Sequence, residues 1–478
     1  MNFGYKKLYI GGVLRDAISG AKKDVICPAT NEVVGQVAWA GVEDAELALV
    51  EAQKGFKYWS KLSLAERTKW MMKLREEVLK NDDLLRKAVV MEMGKSYDAA
   101  WEDIESIVNA LEFYPGAMRN MHDEIIPDLE NTHRHKMVNQ PAGVAVAYLA
   151  WNFPLLNVGY KIGPALAAGC SLIIKPSGLT PLSAYVLGEI MASIDFPAGV
   201  VNFICGPIED VAQTLTTSKV TKVITMIGST ASGRKVMADS TTSVKHVSME
   251  LGGNAPFIVC ADADLDLATN IGIALKYGNC GQICVSPNRF LIHESVYDQF
   301  LQMFVEKAKK VKVGFGLDTK SDMGPLVTLR DRDRIFKMVQ DDIASGAKLE
   351  CGGGIPAGME VGNFIEPTVI SGLTTTMRCF REEIFGPVAA MMKFATIDEA
   401  IELGNDTEYG LVSYVFSTSE KNIRELSEAL DFGEVQVNGV KYAIYLPHGG
   451  VKESGIGHDC SYLALNDYLT KKRITTAL

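Results

Sequence analysis

The sequence predicts an α/β fold, because short apolar runs alternate with helical segments from about residue 143 onward. Strands are predicted at Val144–Leu149, Leu172–Ile174, Val200–Ile204, Lys222–Met226 and Pro256–Cys260. Strands and helices that alternate with short connections are typical of parallel βαβ units, and therefore of an open sheet covered by helices. The pattern continues between about 251 and 450, so we predict a second α/β region there.

Capping signals locate several of the predicted helices. Ser63 and Glu66 form a capping-box pattern ahead of apolar residues at helical spacing, so the N-terminal third is predicted to be helical after a short strand-and-turn opening. Thr180 and Pro181 begin a helix to about Ile194, since proline is tolerated at the first helical position. Further helices are predicted over about 208–216, from Ser229, and from a cap at Asp262 or Asp264 that opens the second α/β region, the region that carries Cys284.

One segment departs from this alternation. Residues 133–146 are rich in residues that favour extended backbone and are bracketed by polar residues, which predicts a protruding hairpin. The last residues of the chain, 472–478, are predicted to pair with this hairpin. The two segments together would form a small sheet of their own.

Composition and charge restrict the class of partner. The 478 residues are 47% hydrophobic and 22% charged, which is ordinary for a globular enzyme of two or three domains. A net charge of −10 argues against nucleic acid or an anionic membrane as the main partner, but it leaves an anionic small substrate open. Charges interrupt the first twenty residues, unlike a secretory signal, and no apolar run reaches the ~18 residues of a membrane helix. Nine scattered cysteines fit free thiols in a cytoplasmic protein.

A carboxylate beside paired glycines and a thiol after a glycine turn suggest a base and a nucleophile. Glu250 precedes Gly252 and Gly253, and Cys284 follows Gly281. Such a turn can expose the thiol and place backbone N–H groups beside it, which favours a thiolate and the oxyanion that forms after its attack on a carbonyl. A lone cysteine is more often a small core residue. Nearby Cys280 is interpreted as a bystander, and no further cysteine or histidine pair completes a metal site.

Four weaker signals each keep two interpretations. Asn152 ends a predicted strand, where its amide either completes an oxyanion hole or caps a turn. Lys175 ends the next strand, where it either grips a cofactor or stays solvated. Residues 228–233 can offer N–H groups to a pyrophosphate at a helix start, but they lack the G-x-G-x-x-G fingerprint. Residues 382–387 form an acidic turn or a solvated loop.

Taken together, these segments resemble the aldehyde dehydrogenase superfamily over essentially the whole chain. The nearest resemblance is to the succinate-semialdehyde branch, notably at 250–258. The matching motifs occur in the family's order: Trp151–Pro154, Pro164–Leu166, Lys175–Ser177, Gly228–Thr230, Glu250–Gly253, Gly281–Cys284, Glu383–Pro387 and Ser454–Gly455.

The resemblance implies a fold and an assembly. The implied parts are a Rossmann-like cofactor domain at 1–122 and 142–250, an α/β catalytic domain at 251–450, and a β-hairpin oligomerisation element at 123–141 and 465–478. Such a chain is expected to form a homodimer or a homotetramer.

The resemblance also implies roles for individual residues. Cys284 would attack an aldehyde carbon, the amide of Asn152 would bind the resulting oxyanion, and Glu250 would activate the water that hydrolyses the thioester. Glu250 also counts against the branch in which coenzyme A takes the acyl group. Lys175 and Glu383 would hold the two riboses, with Phe385 near the nicotinamide. The implied dinucleotide-binding set is Trp151, Lys175, Ser177, Gly178, Gly228, Ser229, Leu251, Glu383 and Phe385.

Gly178 is a departure from the family pattern that bears on the cofactor. NAD-preferring members usually carry glutamate after Lys-Pro-Ser, where it accepts hydrogen bonds from the ribose hydroxyls; this chain has Gly178. Loss of the carboxylate removes repulsion against a 2′-phosphate and leaves space for it, with Lys175 available as a cation. We therefore expect NADP as the cofactor, with NAD as an alternative or in dual use.

Two further departures concern the substrate. The semialdehyde branch usually has substrate-binding arginines at the positions occupied here by Tyr160 and Gly278, so bidentate carboxylate recognition is not expected. A small polar or anionic aldehyde (a semialdehyde, a hydroxyaldehyde or a sulfonated aldehyde) is expected, and a long alkyl aldehyde is not. The segment 457–461 also lacks the arginine, glutamate and glycine of many members. Candidate substrate-binding residues are Asn157, Tyr160, Lys441 and His448, with Tyr442 and Tyr445 beside them; solvent-facing decoration of a loop is the alternative for those after 440.

Two other classes of protein are alternatives to an aldehyde dehydrogenase. A cysteine hydrolase or acyltransferase would need a histidine near Cys284, and sequence distance excludes neither His246 nor His448. A non-catalytic relative would be expected to lose its nucleophile or base, and this chain keeps both.

Overall fold

The computed structural model describes residues 1–318 and 320–478, and within them it contains twenty-one strands and fourteen α-helices. The strands are β1 (Tyr5–Lys6), β2 (Leu8–Ile10), β3 (Val13–Arg15), β4 (Lys22–Ile26), β5 (Val33–Ala38), β6 (Glu124–Ile126), β7 (His133–Pro141), β8 (Val144–Tyr148), β9 (Ser171–Lys175), β10 (Val201–Phe203), β11 (Thr221–Ile227), β12 (His246–Glu250), β13 (Ala255–Val259), β14 (Pro287–His293), β15 (Lys348–Cys351), β16 (Thr368–Ser371), β17 (Val388–Phe394), β18 (Val412–Phe416), β19 (Glu434–Val437), β20 (Gly455–Ile456) and β21 (Leu469–Ala477). The helices are α1 (Val42–Trp59), α2 (Leu64–Lys80), α3 (Asp82–Met93), α4 (Trp101–Arg119), α5 (Leu156–Ala168), α6 (Leu182–Ser193), α7 (Gln213–Thr217), α8 (Thr230–Asp239), α9 (Leu265–Tyr277), α10 (Tyr297–Ala308), α11 (Leu329–Ala344), α12 (Arg378–Arg381), α13 (Ile397–Asn405) and α14 (Glu420–Ala429).

An eight-stranded sheet has the order β20-β12-β11-β8-β9-β10-β2-β3. Its five central strands, β12 to β10, are parallel, and β8 and β9 are buried along their whole length. Because both faces of these strands are buried, their sequences are continuous apolar runs. Because parallel strands end at one edge, Lys175, Gly228 and Glu250 follow one another along that edge.

A seven-stranded sheet has the order β15-β16-β17-β14-β13-β18-β19 and is parallel except for β15. It is the second α/β region that the sequence predicts, and it begins directly after the turn at Gly252 and Gly253. The strands predicted from apolar runs in both sheets lie within two residues of the observed ones.

Two small sheets complete the described part of the fold. β1, β5 and β4 form one of them, and β6, β7 and β21 form the other. The predicted pairing of the C-terminal residues is confirmed, because Leu469–Ala477 pairs antiparallel with His133–Pro141. The predicted hairpin range was wrong at its end, since a turn with Gly143 at φ 137° separates β7 from β8, which belongs to the eight-stranded sheet.

The predicted helix starts agree with the structure to different degrees. The capping box is confirmed, because Ser63 Oγ accepts from Glu66 N and the Glu66 carboxylate accepts from Ser63 N. Pro181 occupies the cap of α6, one position earlier than predicted. Of the two predicted caps, Asp264 is the one that caps α9; this helix ends at Tyr277, where the backbone turns away from helical geometry.

The described residues hold no helix long and apolar enough to cross a membrane. All nine cysteines lie in the described ranges and are free; seven are buried, whereas Cys284 and Cys351 are partly exposed. Cys284 is therefore one of two thiols in this chain that reach open space.

Candidate active site

The thiol of Cys284 follows a turn with three left-handed residues in succession. Asn279, Cys280 and Gly281 have φ values of 48°, 57° and 68°, and the first two are non-glycine residues that reach this region at a cost of about 1–3 kcal/mol each. A side chain at Gly281 would place its Cβ 2.3 Å from the carbonyl oxygen of Gly386. Gln282 stabilises the turn, because its side chain donates to Asn279 O and accepts from Val327 N.

The turn after β12 brings Glu250 to the same place. A Cβ at Gly253 would lie 2.4 Å from the carbonyl oxygen of Cys284, so only glycine allows the two backbones to approach this closely. Ser454 holds the turn from the other side by donating its hydroxyl to Gly252 O at 2.7 Å. Glu250 itself is buried.

Asn152 lies on the other side of the thiol-bearing turn. Its Nδ2 donates to Gln282 O at 3.2 Å, and its own carbonyl accepts from Asn279 Nδ2 at 3.0 Å. It is buried, and its amide contacts a different motif instead of capping its own turn. One of the two Nδ2 hydrogens therefore remains for another acceptor in the cavity.

His448 lies beside the thiol and the carboxylate. A nitrogen of its imidazole, Sγ of Cys284 and a carboxylate oxygen of Glu250 lie within 4.8 Å of one another. His448 Nδ1 is 2.6 Å from Glu434 Oε1, and Nε2 is 3.4 Å from Glu250 Oε1. Of the two histidines that the sequence left open, His246 is exposed on β12 and remote from the site, whereas His448 touches it.

Burial and hydrogen bonding act in opposite directions on these groups. Burial raises the pKa of the Cys284 thiol to about 12, Glu250 raises it further, and His448 lowers it. Burial lowers the pKa of His448, but hydrogen bonds to Cys284, Glu250 and Glu434 outweigh burial and raise that pKa well above its ordinary value. These hydrogen bonds therefore favour the charged form of the imidazole, which lies between two acidic side chains.

A buried ion pair anchors the loop that carries His448. Lys161 on α5 donates to both carboxylate oxygens of Asp459, at 2.5 and 2.7 Å, and both side chains are almost fully buried. His448 and Asp459 exchange backbone hydrogen bonds of 2.8 and 2.6 Å. Asp459 lies in the segment where the chain departs from the family's usual residues, and it ties that segment to α5.

A cavity of about 660 Å³ opens above the thiol and contains the candidate substrate residues. Asn157 is buried in its wall, Tyr160 is half-buried, and the loop after β19 contributes the rest. Lys441 and Tyr445 are exposed at the cavity wall, whereas His448 is buried next to the thiol and is not loop decoration. The predicted catalytic and substrate-binding residues that line this cavity are Asn152, Asn157, Tyr160, Glu250, Cys284, Lys441, Tyr442, Tyr445 and His448.

The opposite end of the site lies beyond the edge of the eight-stranded sheet. Lys175 is buried at the end of β9, which rules out a freely solvated lysine. Lys23 Nζ donates to Gly178 O at 2.8 Å and lies 4.4 Å above the ring of Trp39. A Cβ at Gly178 would meet Trp39 at 2.9 Å and Lys23 Nζ at 3.1 Å. Two lysine ammonium groups therefore flank a position that only a small residue fits.

The remaining predicted cofactor residues lie along the same edge. Ser229 caps α8, so that Gly228 and the free N–H groups of the helix start face open space. Ser177 instead uses its hydroxyl to accept from Leu179 N within a turn. Leu251 is buried, and a Cβ at Gly233 would lie 2.6 Å from it.

Glu383 and Phe385 approach from the seven-stranded sheet. Glu383 Oε1 accepts from Gly253 N at 2.9 Å, and a Cβ at Gly252 would lie 2.9 Å from Oε2 of the same carboxylate. Phe385 has a φ of 47° and packs edge-on against Trp151, with ring centroids 5.3 Å apart. The acidic turn at 382–387 is thus part of the site and not a free solvated loop.

Sequence reasoning did not find Glu434 or Lys23. Glu434 lies on β19, with its side chain largely buried against His448, but a single acid in a short strand carries no local signature. Lys23 lies on β4, far from every motif. A largely buried acid and a half-buried lysine are informative only once their partners are known.

These features define a class of protein. A profile of the aldehyde dehydrogenase family matches residues 15–474. The chain belongs to this family; it is an NAD(P)-dependent enzyme that oxidises an aldehyde to a carboxylic acid, and it resembles the succinate-semialdehyde dehydrogenase branch.

Individual relatives support the same class. A mitochondrial succinate-semialdehyde dehydrogenase from Oryza sativa is 37% identical over 97% of this chain and 88% of its own length. A 3,6-anhydro-alpha-L-galactose dehydrogenase from a Vibrio species is 35% identical over 98% of both chains. The crystal structure of Staphylococcus aureus betaine aldehyde dehydrogenase with NAD+ has a TM-score of 0.96, with 33% identity over 98% of this chain and 95% of that one. An E. coli NADP dependent enzyme reaches a TM-score of 0.97, with 33% identity over 99% and 98%.

The Lys161–Asp459 pair yields a stability prediction. Lys161→Met leaves the Asp459 carboxylate buried without its cation, and we expect it to lower the free energy of unfolding by about 3–5 kcal/mol. Lys161→Met combined with Asp459→Asn removes both charges and should recover a large part of that loss. Denaturant unfolding of both variants measures the difference. Equal losses in the single and double variants would show that packing, and not the unpaired charge, causes the effect.

Proposed function

We propose that Cys284 is the nucleophile, Glu250 the base and Asn152 the oxyanion donor of this aldehyde dehydrogenase. The observation that carries the proposal is the meeting of a thiol, a buried carboxylate and an available amide hydrogen at the bottom of one cavity. Each group comes from a different motif, and the tight turns at Gly253 and Gly281 hold them together.

The reaction follows from that arrangement. The thiolate of Cys284 adds to the aldehyde carbon, and the amide of Asn152 donates to the oxyanion of the thiohemiacetal. A bound dinucleotide supplies the hydride acceptor. Glu250 then removes a proton from water, which attacks the thioester carbonyl, releases the carboxylic acid and returns the thiolate. The buried, pocket-facing carboxylate of Glu250 is suited to this because it is close to the thioester and shielded from bulk water.

Two substitutions separate the nucleophile from the base. Cys284→Ser should abolish oxidation, because a serine hydroxyl is much harder to ionise than a thiol and is the weaker nucleophile. Glu250→Gln should allow one round of hydride transfer and then stall at the thioester. Stopped-flow absorbance of reduced nicotinamide would show a burst close to one equivalent, followed by a slow phase. Full steady-state turnover in Glu250→Gln would remove Glu250 from the base role.

We further propose that NADP is the preferred cofactor, with NAD used less well. The edge of the eight-stranded sheet fits a dinucleotide, because the cap of α8 presents free N–H groups and Gly178 leaves a cradle that a side chain would fill. Lys23 and Lys175 flank this cradle, and a 2′-phosphate would meet their ammonium groups. Trp151, Ser177, Leu251, Glu383 and Phe385 complete the proposed binding set. Burial and the neighbouring Lys175 lower the pKa of Lys23, and a phosphate beside the two lysines would favour their charged forms.

Lys23→Gln tests this cofactor assignment. We expect kcat/KM for NADP to fall about tenfold or more, since a hydrogen bond to a charged group contributes about 1.5–3 kcal/mol, whereas kcat/KM for NAD should change little. Lys22→Gln is the matched control: Lys22 is the neighbouring, exposed lysine on β4, lying against Tyr5. An equal loss of kcat/KM with NADP and with NAD would show that Lys23 has only a structural role. Wild-type preference for NAD by about a hundredfold would overturn the NADP assignment altogether.

For the substrate we propose a small polar aldehyde, and among the expected classes the cavity best fits a hydroxyaldehyde. Asn157, Tyr160 and His448 offer hydrogen-bonding groups near the thiol. Two lysines line the cavity, and Lys95 forms an ion pair with Asp103 at 2.6 Å. Within the described residues, Lys441 is the lining lysine that forms no ion pair. Glu102 and Glu105 line the same cavity and repel an anion. An anionic semialdehyde or sulfonated aldehyde is the second candidate, with Lys441 as its cation.

A substrate panel with a Lys441→Gln variant distinguishes the two candidates. The aldehydes are lactaldehyde, succinate semialdehyde, a sulfonated aldehyde and a neutral alkyl aldehyde, followed by reduced-nicotinamide absorbance. We expect lactaldehyde to exceed succinate semialdehyde in kcat/KM by about tenfold, and Lys441→Gln to leave lactaldehyde turnover unchanged. If an anionic aldehyde is the best substrate and Lys441→Gln reduces its kcat/KM about tenfold, the anionic class is correct instead.

We propose that the sheet of β6, β7 and β21 mediates assembly into a homodimer or homotetramer. Its strands are largely exposed, and apolar side chains on and beside it face outward, among them Ile125, Leu129, Ile474 and Leu478. Exposed apolar groups on a sheet of this kind are typical of a surface that another protein chain covers. The proposed division of the chain, with residues 1–122 and 142–250 binding the cofactor and 251–450 carrying the nucleophile, leaves 123–141 and 465–478 for this contact.

A further inference from the structure

His448 is placed between two carboxylates and beside the thiol, although aldehyde oxidation as described above requires no histidine. Glu434 holds Nδ1 at 2.6 Å, and Glu250 lies 3.4 Å from Nε2. The three side chains are nearly buried, with between 5% and 12% of their side-chain surface exposed. A buried imidazole in direct contact with two acids is held as a cation, because both carboxylates favour its charged form.

Among the described residues, no second cation is in contact with His448, and the unpaired Lys441 of the cavity wall is exposed. Those that face it from the packed elements are tyrosines, a cysteine and one already neutralised ion pair: Tyr160, Tyr414, Tyr442, Cys460 and Lys161–Asp459. Among the groups that act most strongly on Cys284, Glu250 and Glu383 oppose the thiolate and His448 favours it. Without His448, the partly exposed thiol would face carboxylates alone, an environment that suppresses its ionisation and its reactivity.

We propose that Cys284, His448 and Glu434 form a nucleophile–imidazolium–carboxylate triad, in which His448 supplies the protein's own positive charge for the thiolate. Glu434 is the positioning residue, since it fixes the imidazole through Nδ1 and touches no reacting atom. The inference rests on the proposed role of Cys284 as nucleophile. It assigns activation of the thiol to His448 and leaves Glu250 free for the later hydrolysis of the thioester.

The proton balance is simple. In the reactive state Sγ carries the negative charge and the imidazole of His448 carries the proton, with Glu434 as a carboxylate. Addition of the thiolate to the aldehyde forms the S–C bond without any proton transfer at sulfur. When water cleaves the thioester, the S–C bond breaks and the thiolate leaves directly into contact with the imidazolium. The proton removed from water passes to Glu250, and His448 keeps its own proton throughout.

Activation of Cys284 by the triad and activation by Glu250 can be distinguished, because they predict different effects of substitutions on the reactivity of the thiol. Removal of the His448 cation raises the pKa of Cys284, so less thiolate is present at neutral pH. Glu434→Gln acts in the same direction, because it weakens the charged imidazole. Glu250→Gln removes a nearby negative charge and therefore lowers the pKa of Cys284. If Glu250 were the activating base instead, Glu250→Gln would make the thiol less reactive.

The experiment measures alkylation of Cys284 by iodoacetamide in the full-length protein, without cofactor or aldehyde. The modified peptide is quantified by mass spectrometry between about pH 6 and about pH 10, which also separates Cys284 from the partly exposed Cys351. The variants are His448→Asn, Glu434→Gln and Glu250→Gln. His246→Asn is the matched control, because it makes the same change at an exposed histidine on the strand that carries Glu250.

We expect His448→Asn and Glu434→Gln to alkylate at least about tenfold more slowly at pH 7, with profiles shifted to higher pH. Glu250→Gln should react as fast as wild type or faster, and His246→Asn should match wild type. Slow alkylation of Glu250→Gln together with unchanged His448→Asn would overturn the triad. If His448→Asn fails to fold, the pH profile of alkylation of Glu434→Gln tests the triad instead. The ultraviolet absorbance of the thiolate provides a second measurement, taken as the difference between each protein and the same protein with Cys284→Ser. Turnover by Cys284→Ser would refute the proposed function, whereas an unchanged His448→Asn profile would refute only this inference.

Discussion

The close contact between two backbone turns is the constraint on which the site depends. At Gly253 the carbonyl oxygen of Cys284 occupies the space where a side chain would start, and at Gly281 the carbonyl of Gly386 does the same. Through these contacts the edge of the eight-stranded sheet and the loops of the seven-stranded sheet meet at one point. The left-handed residues before Cys284 are tolerated because buried hydrogen bonds of Gln282 hold the turn from inside.

Electrostatics is the second organising factor, because the site concentrates acids. Glu250 and Glu383 act against ionisation of the Cys284 thiol, and Glu434 lies behind them against His448. His448 offsets part of this charge, and its loop is tied in turn to the Lys161–Asp459 pair. A chain of contacts therefore runs from helix α5 through the loop of His448 to Cys284.

The two ends of the site are specialised differently. At the sheet edge, the small residue at 178 and the two lysines are the features on which the proposal of NADP rests. In the cavity above the thiol, hydrogen-bonding side chains outnumber free cations, and acids line the wall. That composition is the basis for proposing a polar substrate ahead of an anionic one.

The sequence by itself determined the α/β class, most strand positions, the capping box and the motifs that contain Cys284, Glu250 and Asn152. These features are local: they depend on apolar periodicity, on side chains that satisfy nearby backbone groups, and on glycines at fixed offsets. The end of helix α9 at Tyr277 was not predicted, because the strained turn after it is held by the distant residues Val327, which bonds to Gln282, and Gly386.

Only the tertiary structure decided which distant residues meet. His448 joins Cys284 from a loop far along the chain, Glu434 reaches His448 from β19, and Lys23 bonds to Gly178 across 155 residues. None of these residues carries a local signature, since a lone histidine, acid or lysine has the same sequence context whether it is solvated or catalytic. Their roles depend on burial and on distances of a few ångströms, which are fixed by the packing of whole sheets and helices and not by neighbouring residues in the chain.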